Sequence, residues 1–219
     1  MKQATSRSER AGERAITRYA ALGDSFTAGT GDGAGAWPDE LAATLGAANP
    51  ALEYHNLGVI GASSAQVAEQ LEAALALDPD FVTLVCGAND VLLSVRPNIA
   101  RYESALAAMF ARLRAAAPDT IVITATTPDP AQFLALRPRS RERVASGMRE
   151  LNEVTRIVAA RAGVLCLEFA EDPLAGERQN FAGDGYHASR DGNRRAAAAV
   201  ASALRDHFGV RVASDGEPQ

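Results

Sequence analysis

Short apolar runs alternate along the chain with longer segments in which apolar residues recur at helical spacing. Five of the short runs predict β-strands, at Tyr19–Gly23, Glu53–Asn56, Phe81–Cys86, Thr120–Thr124 and Val164–Glu168. The last three runs are almost continuously apolar, which is typical of strands that are covered on both faces. Helical spacing predicts five helices, near residues 37–47, 64–76, 98–116, 140–162 and 190–207. This alternation predicts right-handed crossovers and a parallel sheet between two layers of helices.

Capping residues mark several of these helix boundaries. Ser64 and Ser189 are placed where a serine side chain can cap the first turn of a helix, and Asn98 opens the third helix. Gly163 and Gly209 follow the fourth and fifth helices, where glycine commonly ends a helix. Four of the five predicted helices therefore carry a boundary signal in the local sequence.

The length and composition are those of one globular domain. The chain has 219 residues, of which 47% are hydrophobic and 22% charged. This length is roughly 1.5 typical domains, and the sequence contains neither an internal repeat nor a linker. We therefore expect a single domain over residues 18–212, with flexible tails at 1–17 and 213–219. The two cysteines are too few for a disulfide framework.

The charge and hydropathy pattern exclude some classes of partner. The 22 basic and 27 acidic residues give a net charge of −5, whereas nonspecific nucleic-acid binding needs a basic face. No apolar run approaches the roughly 18 residues of a membrane helix, and the polar start of the chain does not resemble a signal peptide. We expect a cytoplasmic protein with no membrane span and no bound nucleic acid, present as a monomer or weak homodimer.

Four polar clusters lie after predicted strands or before the last helix. They comprise residues 23–29 (GDSFTAG), 56–63 (NLGVIGAS), 87–90 (GAND) and 184–187 (DGYH). In an open parallel sheet, ligands bind beyond the carboxyl ends of the strands. All four clusters are expected at that edge of the sheet, so we predict that the functional site lies there.

Ser25, His187 and Asp184 have the side chains that nucleophilic acyl transfer requires. A serine hydroxyl is a weak nucleophile until a base, usually histidine, accepts its proton. A carboxylate then holds the imidazole in the correct tautomer and stabilises the imidazolium. Asp184 and His187 are three residues apart, so one turn of chain can bring them together. We predict that these three residues form a catalytic triad.

The tetrahedral intermediate of this chemistry needs hydrogen-bond donors for its oxyanion. The candidates are the backbone N–H groups of Ser25 and Gly61 and the side-chain amide of Asn89. Glycine permits close approach of the backbone, and asparagine donates without carrying a charge. These three donors form the predicted oxyanion hole.

The four clusters together resemble the motifs of the GDSL, or SGNH, hydrolase family. The chain carries Gly-Asp-Ser near its start, a glycine block after the second strand, Gly-x-Asn-Asp after the third and Asp-x-x-His before the last helix. The motifs occur in the family's order, and the resemblance extends from Tyr19 to about Phe208. One such motif is weak evidence, whereas four in order are specific.

The resemblance implies a flavodoxin-like three-layer α/β/α fold, with five parallel strands in the order 2-1-3-4-5. It implies Ser25 as the nucleophile, completed by Asp184 and His187, with Gly61 and Asn89 as oxyanion donors. The implied activity is hydrolysis of carboxylic esters or thioesters. The expected partner is therefore a small-molecule ester or thioester, and no cofactor or metal ion is expected.

The substrate pocket is less clearly marked. Two departures from the family pattern lie outside the triad: Ala28 replaces a residue that is often acidic, and Ala188 replaces a common proline. The candidates for lining the pocket are Asp24, Phe133, Leu134 and Leu136. The last three belong to the loop over residues 125–139, which could line an acyl pocket, close as a lid or cover a small apolar cluster.

Other interpretations of the same residues are open. Ser25 could be only the N-cap of a helix that begins near Phe26, and Asn89 only a turn residue. An acyltransferase would use the same triad and differ in what attacks the acyl-enzyme. A module that binds flavin mononucleotide is a further alternative, because residues 25–31 (SFTAGTG) have the composition of a phosphate-binding loop. In that case the Asp-x-x-His motif at residues 184–187 would have no function, and Asp24 would place a negative charge near the phosphate.

The remaining histidines and cysteines do not indicate a metal site. His55, at the end of the second strand, has no acidic residue at short spacing, and we interpret it as structural or as part of the pocket wall. The three histidines and two cysteines show no grouping at metal-ligand spacing.

Overall fold

The computed structural model describes residues 14–30 and 35–213, and within them five parallel strands form one sheet. The strands are β1 Arg18–Gly23, β2 Glu53–Asn56, β3 Phe81–Val85, β4 Ile121–Ala125 and β5 Leu165–Leu167. They lie in the order β2-β1-β3-β4-β5, and each neighbouring pair is parallel. The predicted fold class and strand order are confirmed.

Alternate side chains along each strand point to opposite faces of the sheet. In β1, Ala20 and Leu22 belong to one hydrophobic core, and Tyr19 and Ala21 belong to the other. The register of β1 and β3 places Tyr19 beside Phe81, and their rings stack at 4.6 Å. Because successive strand residues point to opposite faces, a strand that is covered on both sides is apolar at nearly every position.

Helices cover both faces of the sheet. In the part of the chain that the structure describes, they are α1 Ser25–Ala28, α2 Trp37–Ala48, α3 Ser64–Val67, α4 Leu71–Ala76, α5 Ala88–Leu92, α6 Ile99–Ala116, α7 Pro138–Arg161 and α8 Arg190–Phe208. Helices α2 and α8 contact each other over one face, and α3 to α7 contribute to the core on the opposite face. The carboxyl ends of the strands are left free to carry loops.

The structure corrects the predicted helix over residues 64–76. Helices α3 and α4 are separated by a 3₁₀ turn at Ala68–Gln70, and Ser63 rather than Ser64 is the N-cap. The Ser63 N–H donates to the Gln66 Oε1 atom at 2.9 Å. The short helix α5 was not predicted, and α1 appeared only in the alternative in which a helix begins near Phe26, because four or five residues contain too little periodicity to identify a helix. The other elements lie within two residues of their predicted bounds.

The packed part of the chain begins before the predicted domain boundary. The side chain of Ile16 is buried in the core beneath α2 and α8, and Arg14 pairs with the segment after α8. Residues 14–17 are therefore part of the folded structure rather than a tail. The predicted tails over 1–13 and 214–219 lie outside the described residues.

Two further features of the described residues concern the hydropathy of the helices and the state of the cysteines. Within 14–30 and 35–213, no helix is long and apolar enough to cross a membrane. Cys86 and Cys166 are free thiols; the first is buried and the second partly buried. Cys86 follows β3 and Cys166 lies in β5, so β4 separates them as the predicted strand order requires.

Candidate active site

Ser25 lies in the turn that leads from the carboxyl end of β1 into α1. Asp24 is the N-cap of this helix, and its Oδ1 atom accepts a hydrogen bond from the Phe26 N–H at 3.0 Å. Ser25 is the first helical residue and is only 2% exposed. The interpretation of Ser25 as an N-cap is wrong, because Asp24 occupies that position.

Gly23 and Gln70 fix the position of this turn. A Cβ atom at Gly23 would overlap the Thr27 Oγ1 atom and the Val85 carbonyl oxygen. The Gln70 side chain donates to the Gly23 carbonyl at 2.8 Å and accepts from the Gly23 N–H at 2.9 Å. These buried bonds satisfy the backbone two residues before Ser25 and hold the end of β1 in place.

The structure brings Ser25, His187 and Asp184 together. The Nε2 atom of His187 lies 3.1 Å from the Ser25 Oγ atom, and its Nδ1 atom lies 2.7 Å from the Asp184 Oδ2 atom. Both distances are within hydrogen-bond range, which is what a nucleophile, its base and an orienting acid require. The three predicted triad residues therefore have a geometry that suits proton transfer from serine to histidine.

The backbone around Asp184 holds its carboxylate in place. The Oδ1 atom accepts hydrogen bonds from the N–H groups of Tyr186 and His187, at 2.8 and 3.0 Å. Burial raises the pKa of Asp184, but the bonds from the His187 ring and these two amides outweigh it, so the pKa is lowered overall. The resulting anion favours the tautomer with a proton on Nδ1 of His187, which leaves Nε2 free to accept one.

Gly185 makes this tight loop possible. Its φ angle is +72°, in the left-handed region that favours glycine. A Cβ atom at this position would lie 2.7 Å from the Phe133 carbonyl oxygen. The loop that carries Asp184 and His187 thus packs closely against the loop over residues 125–139.

Asn89 is held at both ends of its side-chain amide. Its Nδ2 atom donates to the Ala62 carbonyl at 3.0 Å, and its Oδ1 atom accepts from the Tyr186 hydroxyl at 2.7 Å. An amide NH₂ group has two hydrogens, so one remains for another acceptor. Because Gly61 precedes Ala62, the same bond ties the glycine loop to Asn89.

The two predicted backbone donors are available. Within the described residues, the N–H groups of Ser25 and Gly61 donate no hydrogen bond. The Val59 N–H donates to the Gly23 carbonyl at 3.1 Å, which places the glycine loop against the end of β1. Gly61 has a φ angle of +76° and is exposed. The loop therefore presents unpaired N–H groups beside the serine turn.

Asp90 and Ser64 have a structural role. The Asp90 carboxylate accepts hydrogen bonds from the N–H and the hydroxyl of Ser64, both at 2.8 Å. Ser64 is buried, and its hydroxyl is committed to this acid rather than to a histidine. These bonds connect the start of α3 to α5 and so stabilise the loop that carries Gly61 and the helix that carries Asn89.

The predicted pocket residues lie in different environments. Asp24 is buried as a helix cap, and burial raises its pKa to about 6, so it offers no surface to a substrate. The Phe133 ring packs on Phe181 at 4.8 Å. Leu136 packs against the main core, and Leu134 is half-buried. Phe133 and Leu136 thus favour the interpretation of a cluster packed beneath the loop.

Exposed apolar side chains lie next to two of the predicted oxyanion donors, on the Gly61 loop and after the helix that carries Asn89. Of the six large hydrophobic side chains that are exposed in the described residues, four are Val59, Ile60, Leu93 and Val95. Val59 and Ile60 precede Gly61, while Leu93 and Val95 follow α5. The bonds between Ala62 and Asn89 and between Ser64 and Asp90 hold these two loops side by side. We call these four residues the apolar rim.

Sequence reasoning missed two contributors to the site. Gln70 lies in a predicted helix and gave no sign of its bonds to Gly23. Tyr186 lies within the last motif, where its aromatic side chain was the only available signal. His55 is exposed in β2, and the histidine ring that lies beside the Ser25 hydroxyl is that of His187. Among the described residues, no group of three or more His, Cys, Asp or Glu side chains could hold a metal ion.

The fold and the four motif positions define the class of GDSL-like hydrolases. A family model described as the GDSL-like lipase/acylhydrolase family matches residues 21–195. The chain therefore belongs to this family, as the sequence predicted, and membership supports hydrolysis of esters. A search of curated proteins found no match.

Solved structures with the same fold include several esterases. A lipase/acylhydrolase from Enterococcus faecalis is 23% identical, with a TM-score of 0.70 and coverage of 91% of this chain and 99% of that one. A psychrotrophic esterase from Pseudoalteromonas is 18% identical, with a TM-score of 0.66 and coverages of 86% and 97%. A catalytic mutant of an acetylxylan esterase from Geobacillus stearothermophilus is 18% identical, with a TM-score of 0.69 and coverages of 91% and 99%. At these identities the likeness establishes the fold.

Proposed function

We propose that this protein is a serine hydrolase that cleaves carboxylic esters or thioesters through an acyl-enzyme on Ser25. The observation that carries the proposal is the pair of distances from Ser25 to His187 and from His187 to Asp184, 3.1 and 2.7 Å. Family membership supports ester hydrolysis independently of this geometry.

In the acylation step, the Ser25 Oγ atom attacks the acyl carbon while the His187 Nε2 atom accepts its proton. The Asp184 carboxylate stabilises the imidazolium through the Nδ1–H group. The oxyanion accepts hydrogen bonds from the N–H groups of Ser25 and Gly61 and from the side chain of Asn89. The imidazolium then donates its proton to the departing alcohol or thiol, which leaves the acyl group on Ser25.

In the second step, water attacks the acyl carbon with His187 as the base, and the carboxylic acid and free Ser25 are released. An alcohol in place of water would make the protein an acyltransferase with the same residues. We assign water as the acceptor because the family is described as lipases and acylhydrolases. A flavin-binding role is not supported, since Ser25–Ala28 forms a short helix and its N-cap, Asp24, is a carboxyl group beside the residues that would have to hold the phosphate.

We further propose that the apolar rim contacts the acyl chain of the substrate. Ile60 and Leu93 are 67% and 72% exposed, and each lies within four residues of a predicted oxyanion donor. An acyl carbonyl bound at Gly61 and Asn89 would place its hydrocarbon chain near these side chains, where burial of apolar surface favours binding. The substrate would then be an ester with an apolar acyl group.

The proposal retains the expected context of the enzyme. Its net charge of −5 does not favour nucleic acid as a partner, and two free cysteines are compatible with a reducing compartment. We therefore propose a cytoplasmic enzyme that acts on small molecules as a monomer or weak homodimer.

The test is the Ser25→Ala variant assayed with nitrophenyl esters and acyl thioesters. Ester hydrolysis should fall by several orders of magnitude while the variant remains folded. A fluorophosphonate should add one mass adduct to the wild type and none to Ser25→Ala, and Ser63→Ala, on the neighbouring loop, should still be labelled. Labelling of Ser25→Ala would show that the nucleophile is another residue. Product analysis with added alcohol distinguishes hydrolysis from acyl transfer.

A further inference from the structure

Tyr186 connects the loop of the catalytic acid and base to the predicted oxyanion donor. Its hydroxyl donates a hydrogen bond to the Asn89 Oδ1 atom at 2.7 Å, across 97 residues of sequence. Its backbone N–H donates to the Asp184 Oδ1 atom at 2.8 Å. A single residue therefore contacts both halves of the site.

Aromatic packing fixes the position of the Tyr186 ring. The ring meets Phe26 edge to face, with centroids 6.0 Å apart and an interplanar angle of 80°. It also meets the His187 ring edge-on, with centroids 4.5 Å apart and an angle of 60°. Such arrangements are favourable for aromatic pairs. Because Phe26 follows Ser25, the Tyr186 ring packs against both the serine turn and the His187 ring.

The Tyr186 hydroxyl keeps its proton. Burial raises the pKa of this group well above its ordinary value, and the negative charges of Asp24 and Asp184 raise it further. A carboxamide oxygen accepts but does not donate, so the hydroxyl is the donor in its bond to Asn89.

We propose that Tyr186 is a positioning residue of the oxyanion hole, which holds and polarises the Asn89 amide so that an Nδ2 hydrogen points at the oxyanion. The inference rests on the proposed function. The terminal torsion of asparagine is broad and soft, so the orientation of its amide depends on its partners. The Ala62 carbonyl restrains the NH₂ end and Tyr186 restrains the oxygen end. A donor on an amide oxygen also strengthens the N–H groups of that amide as donors.

The test is the Tyr186→Phe variant, which keeps the ring and removes only the hydroxyl. A typical net hydrogen bond corresponds to a factor of roughly 2 to 10, so kcat should fall by about that factor, with KM nearly unchanged. Affinity for an alkyl boronic acid, whose tetrahedral adduct mimics the oxyanion, should fall by the same factor. Because Tyr186 acts through Asn89, the double variant with Asn89→Ala should be no slower than Asn89→Ala alone.

Tyr19→Phe is the matched control. It also removes a buried hydroxyl, one that lies 2.9 Å from the Thr83 Oγ1 atom near the start of β1. It should lower the melting temperature but leave kcat and boronic acid affinity unchanged.

Two outcomes would overturn the inference: a Tyr186→Phe enzyme with wild-type kcat, or losses that multiply in the double variant. The second result would mean that Tyr186 acts on the reaction independently of Asn89. Neither result affects the proposed function, which depends on the inactivity of Ser25→Ala. Full activity of Ser25→Ala would instead remove the proposed function itself.

Discussion

The Nε2 atom of His187 lies 3.1 Å from the Oγ atom of Ser25, although 162 residues separate the two in the sequence. Ser25 follows the central strand β1, and His187 precedes the last helix, α8. Parallel strands direct their carboxyl ends to one edge, so the loops that carry both residues meet there. The proximity is a consequence of the topology and places a base beside a buried hydroxyl.

Replacement of the proposed base should abolish catalysis. His187→Ala removes the ring nitrogen that lies 3.1 Å from the Ser25 hydroxyl and can accept its proton, so activity should be nearly lost at every pH tested. His55→Ala, which changes an exposed residue of β2, is the control and should keep most activity. Equal damage in both variants would contradict the choice of base.

Loss of the Asn89 amide should act on kcat rather than on KM. The oxyanion exists only after attack on the carbonyl, and removal of one such donor typically costs about 10²–10³ in kcat. Asn89→Ala should show a loss of that order, and Asn89→Asp at least as much because a carboxylate repels the oxyanion. Asp90→Asn should mainly lower the melting temperature, since Asp90 contacts Ser64. A kinetically normal Asn89→Ala enzyme would mean that backbone donors are sufficient.

The buried carboxyl of Asp24 should make stability depend on pH. Its pKa rises from 3.8 to about 6 on folding, mainly because of burial, so its contribution to stability is present below pH 4 and lost as the pH rises through 6. Asp24→Asn keeps an oxygen for the Phe26 N–H. The unfolding free energy of the variant minus that of the wild type should therefore be about 2–3 kcal/mol larger at pH 7 than at pH 4. Denaturant titrations at both pH values measure this, and a pH-independent difference would contradict it.

Replacement of Gly185 should disturb the acid and base together. Gly185→Ala strains a positive φ angle at a cost of about 1–2 kcal/mol, and its Cβ atom would lie 2.7 Å from the Phe133 carbonyl oxygen. We expect a lower melting temperature and a large loss of kcat as Asp184 and His187 move. Gly163→Ala is the matched control, because Gly163 has a φ angle of +62° but an open environment. It should lose stability and keep activity; equal kcat values for the two variants would contradict the expectation.

Polar substitutions in the apolar rim should change the preference for acyl chain length. Ile60→Ser and Leu93→Ser remove apolar surface beside the proposed oxyanion hole, so kcat/KM for octanoyl esters should fall roughly tenfold. Acetyl esters, which are too short to reach the rim, should be hydrolysed normally. Ile157→Ser removes an exposed side chain from α7 and should leave kcat/KM unchanged for both octanoyl and acetyl esters. A uniform loss across all chain lengths would exclude the rim as an acyl-binding surface.

The sequence by itself determined the strands, most of the helices and the motifs of the site. Strands β3 and β4 were recognisable because a strand covered on both faces is apolar at nearly every position, as Phe81–Val85 (FVTLV) is. Asp184 and His187 were recognisable as a pair because they are three residues apart and the contact between them is local. Four motifs in a known order identified the family before any distance was known. These are properties of short segments, and the local sequence reports them directly.

Only the tertiary structure decided how these segments meet. Ile16 is buried because it packs in the core that α2 and α8 cover, and Asp24, the N-cap of α1, is only 2% exposed. The bonds from Gln70 to Gly23 and from Tyr186 to Asn89 join residues 47 and 97 positions apart. Hydrophobic periodicity in the sequence does not predict such hydrogen-bonded pairs, because the packing of whole helices and loops determines the partner of a polar side chain. The tertiary structure therefore determines the orientation of the Asn89 amide, although the sequence alone shows that Asn89 is part of the motif.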